Sequence, residues 1–126
     1  MFIEIDGLNT HVEVEGPTGG EAVLMLHSLG TNLHVWDPQA AALARTHRVL
    51  RPDLRGHGLT DAPPGDYTMA QLARDALAVL DALEVRHAHV GGVDASLSPT
   101  TTVAGHLIRP ATSAARVSRS AAAHPA

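Results

Sequence analysis

The sequence contains no cysteine and no lysine, and its only aromatic side chains are Phe2, Trp36 and Tyr67. The lack of cysteine excludes disulfide bonds, thiol nucleophiles and thiolate metal sites. With so few aromatics, the core of this 126-residue chain must be built mainly from Leu, Val and Ala. No apolar run approaches the roughly 18 residues that cross a bilayer. We therefore expect a cytoplasmic chain that does not associate with membranes.

Charge and composition divide the chain into two unequal parts. The net charge of −4 argues against a nucleic-acid partner, because proteins that bind the phosphate backbone usually carry a basic surface. Residues 1–93 contain 12 of the 13 acidic residues. In residues 94–126, by contrast, 24 of 33 positions are Ala, Ser, Thr, Pro or Arg. We predict one folded domain over 1–93 and an irregular, low-complexity tail over 94–126.

Five segments of the first part have strand patterns. Alternating apolar and polar residues over 1–6 and 10–16 predict an antiparallel hairpin with one solvated face. The continuous apolar run at 22–27 is typical of a strand buried on both faces. Shorter apolar segments predict two more strands, at 47–53 and 85–93.

Two helices are predicted between these strands. Asp37 as N-cap and Pro38 at the first helical position indicate a helix over "DPQAAALAR". A longer helix is predicted over 67–84, where Thr68 and Gln71 form a capping box. Its apolar positions recur every three or four residues: Met69, Leu72, Ala76, Val79, Leu80 and Leu83. The alternation predicts an α/β fold, a mostly parallel sheet with an antiparallel first hairpin in three αβα layers, whose site lies at the carboxyl ends of the strands.

Three loops follow predicted strands at that edge. They are "HSLGTN" at 27–32, "DLRGHGLTD" at 53–61 and "GGVDAS" at 91–96. Together these loops resemble the amino-terminal half of the α/β-hydrolase fold, and in particular 3-oxoadipate enol-lactonases and related lactone or ester hydrolases. The resemblance covers about residues 2–93 and depends on the two motifs H-[GS]-x-G and D-x-R-G-H-G occurring in this order.

The resemblance implies hydrolysis of a small-molecule carboxylic ester or lactone without a cofactor. Fixed backbone N–H groups stabilise the negative charge that develops on the carbonyl oxygen, each by about 3 kcal/mol. The N–H groups of Leu29 and Ala95 would be these oxyanion donors. His27, Ser28 and Gly30 would shape the turn and line the substrate site.

Other candidate residues have a structural and a functional interpretation. Trp36 either lines the substrate cleft, as the resemblance implies, or anchors the first helix in the core. In the family the stretch 53–58 is mostly a structural turn tied by Asp and Arg hydrogen bonds. His87 and His89 fall on one side of a strand, but no third ligand has suitable spacing, so we predict no metal site.

The position of the nucleophile is occupied by Asp94. The fold requires a strand-to-helix turn with small residues two before and two after the nucleophile, and Gly92 and Ser96 satisfy this spacing. One hypothesis makes Asp94 a carboxylate nucleophile, as in haloalkane dehalogenases and epoxide hydrolases. A second uses Ser96 or Ser98 instead, although neither has glycine two residues earlier. A third holds that the nucleophile turn has been lost.

Features of the tail favour the third hypothesis. Pro99 and the three threonines at 100–102 make "LSPTTTVAGHLIRP" a poor helix. His106 and His124 match no family position and are interpreted as solvated residues rather than a base. Nine arginines and no lysine are typical of a protein encoded by GC-rich DNA. A tail rich in Ala, Arg, Pro, Ser and Thr resembles the product of translating such DNA in the wrong frame. We expect a truncated, inactive hydrolase whose unpaired outer strand promotes self-association; a non-catalytic binding or structural module is the alternative.

Overall fold

The computed structural model describes residues 1–93, 102–108 and 116–119. In these residues seven strands form one sheet in the order β1-β2-β4-β3-β5-β6-β7. The strands are β1 Phe2–Ile5, β2 Leu8–Glu15, β3 Ala22–Leu26, β4 Arg48–Pro52, β5 His87–Val93, β6 Thr102–Ile108 and β7 Arg116–Arg119. Strand β3 pairs in parallel with β4 and β5, and the other pairs are antiparallel. The helices are α1 Asp37–Leu43 and α2 Met69–Ala82, and a 3₁₀ turn spans Leu33–Trp36. The predicted α/β fold is confirmed.

The first hairpin closes through a two-residue turn. Asp6 and Gly7 have φ of 49° and 80°, and they connect the paired residues Ile5 and Leu8. Positive φ at both central residues defines a type I′ turn, which matches the twist of the flanking strands. The second strand therefore begins at Leu8, two residues earlier than the sequence pattern predicts.

Helix α2 begins as its capping sequence predicts. The Thr68 side chain accepts a hydrogen bond from the Gln71 N–H at 3.1 Å. The buried face of the helix contains Leu72, Ala76, Val79 and Leu80. Met69 was expected on this face but is 74% exposed, because the buried face begins only at Leu72, one turn into the helix.

Helix α1 begins differently from its prediction. Trp36 occupies the N-cap, so Asp37 is the first helical residue rather than the cap. The Asp37 carboxylate instead accepts a hydrogen bond from Arg51 of β4 at 2.6 Å. The residue that caps in this region is Asn32, whose side chain accepts from the His34 N–H at the start of the 3₁₀ turn. Arg51 therefore tethers the start of α1 to the sheet.

The two helices cover opposite faces of the sheet. Strand β3 alternates between them, since consecutive side chains of a strand point to opposite faces. On one face Ala22 and Leu24 pack with Leu80 of α2. On the other face Val23 and Met25 pack with a cluster that includes Trp36, Ala40 and Val49. The sheet therefore lies between two helical layers, as the αβα prediction requires.

Strand β6 pairs along the outer edge of β5. The pairing runs from His87 opposite Ile108 to Val93 opposite Thr102. The expectation of an unpaired edge at β5 is therefore wrong. Strand β6 contains the β-branched residues Thr102, Val103 and Ile108, which suit a strand better than a helix. The prediction that no helix forms here is confirmed for 102–108. None of the helices in the described part of the chain is long and apolar enough to span a membrane.

Candidate active site

Two neighbouring strands end side by side at the edge where a site is expected. Leu26 of β3 pairs with Gly92 of β5, so the loop that begins at His27 leaves the sheet level with Val93. The loops 27–32 and 53–61 lie wholly within the described residues. The candidate nucleophile Asp94 and the candidate oxyanion donor Ala95 lie outside them, so the structure assigns neither a position.

The loop after β3 contains a tight turn over Ser28–Thr31. The Ser28 carbonyl accepts hydrogen bonds from the Thr31 N–H at 3.2 Å and the Thr31 hydroxyl at 2.7 Å. Gly30 has φ of 81°, which fits the third residue of a type II turn. Leu29 is 53% exposed at the tip, and its N–H donates to no partner among the described residues. The Leu29 N–H therefore lies in a hydrogen-bonded turn and has no partner among the described residues.

His27 ties this turn to the loop after β4. Its Nε2 accepts a hydrogen bond from the Leu54 N–H at 2.9 Å, and its Nδ1 lies 2.8 Å from the Ser28 carbonyl. An acceptor Nε2 and a donor Nδ1 define the neutral Nδ1–H tautomer. Burial lowers the pKa of His27, and this outweighs the opposing hydrogen bond to Ser28. His27 is thus a buried structural residue at the base of the turn.

His57 makes a second connection between the same two loops. Its Nε2 accepts a hydrogen bond from the Gly30 N–H at 3.0 Å, and its Nδ1 lies 3.0 Å from the Arg55 carbonyl. The rings of His57 and His27 lie 5.1 Å apart. From the sequence, His57 is predicted only as part of the structural turn at 53–58. No sequence signal links it to Gly30, because the two residues are 27 positions apart.

Asp53 organises the loop after β4. One carboxylate oxygen accepts from the Leu33 N–H at 2.9 Å, and the other from the His11 ring at 2.9 Å and the Leu59 N–H at 3.1 Å. Burial alone would raise the pKa of Asp53, but these hydrogen bonds outweigh it and lower the pKa. The interpretation of this stretch as a tied structural turn is confirmed.

Arg55 extends this arrangement to helix α2. Its guanidinium makes two hydrogen bonds to the Asp75 carboxylate, at 2.9 Å and 3.0 Å. Both side chains are 19% exposed. The loop 53–61 is therefore fixed to the helix on one side and to the turn at Gly30 on the other.

Trp36 lies in the core rather than at the surface. It is 6% exposed and packs with the cluster of Val23 and Met25. Its indole nitrogen is buried and has no hydrogen-bond partner in the part of the chain that the structure describes. These contacts favour the interpretation of Trp36 as a core anchor, and its contact with substrate stays a prediction.

The remaining histidines of the described residues lie elsewhere. His34 is exposed beside Asp37, with its Nδ1 3.2 Å from the carboxylate. His89 faces Glu21 at 3.2 Å, near the amino-terminal end of β3. His106 of β6 is paired with His89 of β5. At about 3.3 Å per residue, this pair lies about 13 Å along the sheet from Val93, the last residue of β5. Over 1–93, 102–108 and 116–119, no group of three candidate ligands could hold a metal ion.

Comparison with known proteins identifies the family. The family model for the alpha/beta hydrolase fold matches residues 21–95. The chain therefore belongs to the α/β-hydrolase family, as the motifs after β3 and β4 indicate. Over 93 residues it is 38% identical to 3-oxoadipate enol-lactonase 1 of Acinetobacter baylyi, covering 74% of this chain and 35% of that protein.

Solved structures give the same result. The enol-lactonase from Burkholderia xenovorans is 40% identical, with a TM-score of 0.67, over 75% of this chain and 37% of that one. An epoxide hydrolase from Vigna radiata is 35% identical, with a TM-score of 0.69, over 75% of this chain and 31% of that one. The chain spans about a third of the length of the relatives that it matches.

Proposed function

We propose that the carboxyl edge of the sheet binds the carbonyl group of a small carboxylic ester or lactone, with the Leu29 N–H as an oxyanion donor. The observation that carries this proposal is the Leu29 N–H itself, which lies at an exposed turn and donates to no described residue. A donor that is fixed before the ligand arrives stabilises charge on a carbonyl oxygen without reorganisation. The similarity to enol-lactonases supports the substrate class.

The proposed second donor is the N–H of Ala95. The register of β3 and β5 supports this assignment, since Val93 ends level with His27. Residues that follow these two strand ends leave the same edge of the sheet, and in parallel sheets ligands bind at that edge. Leu29 and Ala95 would then contact one carbonyl oxygen from two sides.

We further propose that this chain binds such a ligand without rapid turnover. Hydrolysis by a serine or aspartate nucleophile also needs a base to activate the nucleophile or the attacking water. The two histidines nearest the turn, His27 and His57, use both ring nitrogens in hydrogen bonds to the backbone. While these hydrogen bonds are intact, neither ring directs a free lone pair at a nucleophile.

A second candidate function is hydrolysis through the Asp94 carboxylate. The similarity to epoxide hydrolases supports it, because a carboxylate follows β5 in this chain. In this reaction the carboxylate attacks the substrate carbon to form an ester, which water then cleaves. The epoxide oxygen takes up a proton from water as its carbon–oxygen bond breaks, and cleavage of the ester by water releases the diol and restores the carboxylate.

Steady-state assays with an activated ester, a γ-lactone and a terminal epoxide separate the two functions. We expect saturable lactone binding, seen as shifts of the amide resonances of residues 28–31, and no multiple turnover of any of the three compounds. Epoxide hydrolysis that is abolished by Asp94→Ala would establish the second function. Lactone binding that leaves these amide resonances unchanged would reject the first.

A further inference from the structure

Two neutral histidines connect the turn at Leu29 to the loop after β4. His27 accepts at Nε2 from the Leu54 N–H, and His57 accepts at Nε2 from the Gly30 N–H. Each ring donates its Nδ1–H to a carbonyl oxygen in its own loop. A nitrogen that accepts an N–H hydrogen bond must carry a lone pair, so both rings share the Nδ1–H tautomer.

We propose that His27 and His57 are a proton-sensitive clamp that positions the Leu29 N–H. When both rings are neutral, the two N–H···Nε2 bonds hold loops 27–32 and 53–61 together. When a ring takes up a proton, its Nε2 becomes a donor and faces the donor of Leu54 or Gly30. The bond is then replaced by a repulsive contact, and the turn loses that attachment.

The surroundings of the clamp set its response to pH. The ring centroids lie 5.1 Å apart, so a charge on one ring opposes a charge on the other. Burial lowers the pKa of His27, the nearby His57 lowers it further, and the hydrogen bond to Ser28 and the charge of Asp53 oppose both effects. The pKa of His27 is therefore lower than the ordinary histidine value of about 6.5.

Two charged side chains of the loop after β4, those of Asp53 and Arg55, already have partners among the described residues. The Asp53 carboxylate accepts hydrogen bonds from the His11 ring and from two backbone N–H groups. The guanidinium of Arg55, which follows Leu54 in the loop, is directed to Asp75 on α2. Release of the clamp would leave the hydrogen bond from the Leu33 N–H to Asp53, which joins the start of the 3₁₀ turn to the loop after β4.

The clamp can be tested in the chain without any ligand. Ring ¹⁵N shifts at pH 8 should show Nδ1–H tautomers for His27 and His57. As the pH is lowered from 8, the amide resonance of Leu54 should move together with the ring ¹⁵N resonances of His27, and that of Gly30 together with those of His57. Amide resonances that stay fixed while both rings titrate would overturn the proposal, as would an Nε2–H tautomer at either ring.

A matched pair of variants tests the role of the proton. In His57→Gln the side-chain carbonyl can accept from the Gly30 N–H at every pH, so the pH dependence of the Gly30 resonance should fall to the part transmitted from His27. In His34→Gln, which changes an exposed histidine outside the clamp, the full pH dependence should remain. A pH dependence of Gly30 that is as large in His57→Gln as in the unsubstituted chain would overturn the proposal.

The effect of the clamp on lactone binding rests on the proposed function of Leu29. A measurement of lactone affinity at two pH values tests this effect separately. If Leu29 binds a lactone carbonyl, binding should weaken several-fold between pH 8 and pH 5 in the unsubstituted chain and much less in His57→Gln. A clamp that titrates in a chain without lactone affinity would reject the proposed function alone. Lactone binding that is equal at both pH values would reject the positioning role of the clamp.

Discussion

Gly58 lies against the carboxylate of Asp53, so closely that a β-carbon at position 58 would overlap both carboxylate oxygens. Gly58 also has φ of 51°, in the left-handed region that side chains with a β-carbon rarely adopt. The position therefore requires glycine for two separate reasons. The contact allows the loop to fold tightly around Asp53, which accepts hydrogen bonds from three different segments.

Replacement of Gly58 by alanine should destabilise the fold. We expect Gly58→Ala to lower the free energy of unfolding by about 2–4 kcal/mol, since steric overlap adds to the backbone cost. Gly7→Ala is the matched control, because Gly7 has φ of 80° with no atom near the added carbon. It should cost about 1 kcal/mol. Urea unfolding measures both, and equal losses would show that overlap with Asp53 contributes nothing.

The ionised form of Asp53 should stabilise the chain against acid. Its pKa is lower in the folded chain than the value of about 3.9 for an unfolded aspartate. A carboxyl with a lowered folded pKa contributes stability above pH 3.9, and this contribution is lost as the pH falls through the folded pKa.

Asp53→Asn isolates this contribution. The variant should lose about 2–3 kcal/mol at pH 7, because an amide cannot accept all the hydrogen bonds of the carboxylate. Its loss relative to the unsubstituted chain should shrink below pH 3.9. Urea unfolding from pH 2.5 to 7 measures both quantities, and a loss that is constant across that range would contradict the assignment.

The paired hydrogen bonds between Arg55 and Asp75 should couple loop 53–61 to α2. A double-mutant cycle with Arg55→Ala and Asp75→Ala should give a coupling energy of about 1 kcal/mol. The reason is that Arg55 makes two hydrogen bonds to Asp75 and that each side chain is only 19% exposed. Arg74, exposed on the same helix, is the control partner. The same cycle with Arg74→Ala should give almost no coupling. Equal coupling in the two cycles would mean that only general charge effects act on Asp75.

Trp36 should behave as a packing residue. Trp36→Phe should cost about 1–2 kcal/mol, because the indole nitrogen makes no hydrogen bond with the described residues and only volume is lost. Trp36→Ala should cost about 3–5 kcal/mol. Thermal unfolding of the two variants provides the measurement. If Trp36→Phe cost as much as Trp36→Ala, a polar contact of the indole would have to be important.

The regular elements could be predicted from sequence because their signals are local. The apolar run at Ala22–Leu26 and the spacing of Leu72, Ala76 and Leu80 each lie within one element. The hairpin was predicted with its turn between residues 6 and 10, and the structure places the turn at Asp6–Gly7. Only the bounds of these elements changed in the structure, by one or two residues.

The contacts that shape the site could not be predicted in this way. Arg51, His57 and Asp53 act on residues 14 to 42 positions distant, and no periodicity or spacing connects them to their partners. The resemblance to a family identified the turn at Leu29 and His27 at its base, but it did not connect His57 to Gly30. Strand β6 was missed because its weak apolar pattern is stabilised by pairing with β5.

The central proposal is that the Leu29 N–H binds a carbonyl oxygen, and proline substitution tests it most directly. Leu29 is the second residue of a type II turn, where proline is commonly accommodated. Leu29→Pro removes the N–H, and Leu29→Ala keeps it while also removing the leucine side chain. The Gly30 amide resonance shows in each variant whether the turn is intact.

The measurement is the affinity of each variant for a γ-lactone by calorimetric or NMR titration. Loss of one hydrogen bond of about 1 kcal/mol should weaken binding roughly fivefold in Leu29→Pro relative to Leu29→Ala. Equal affinity of the two variants, with the turn intact in both, would contradict the proposal that this N–H is the oxyanion donor.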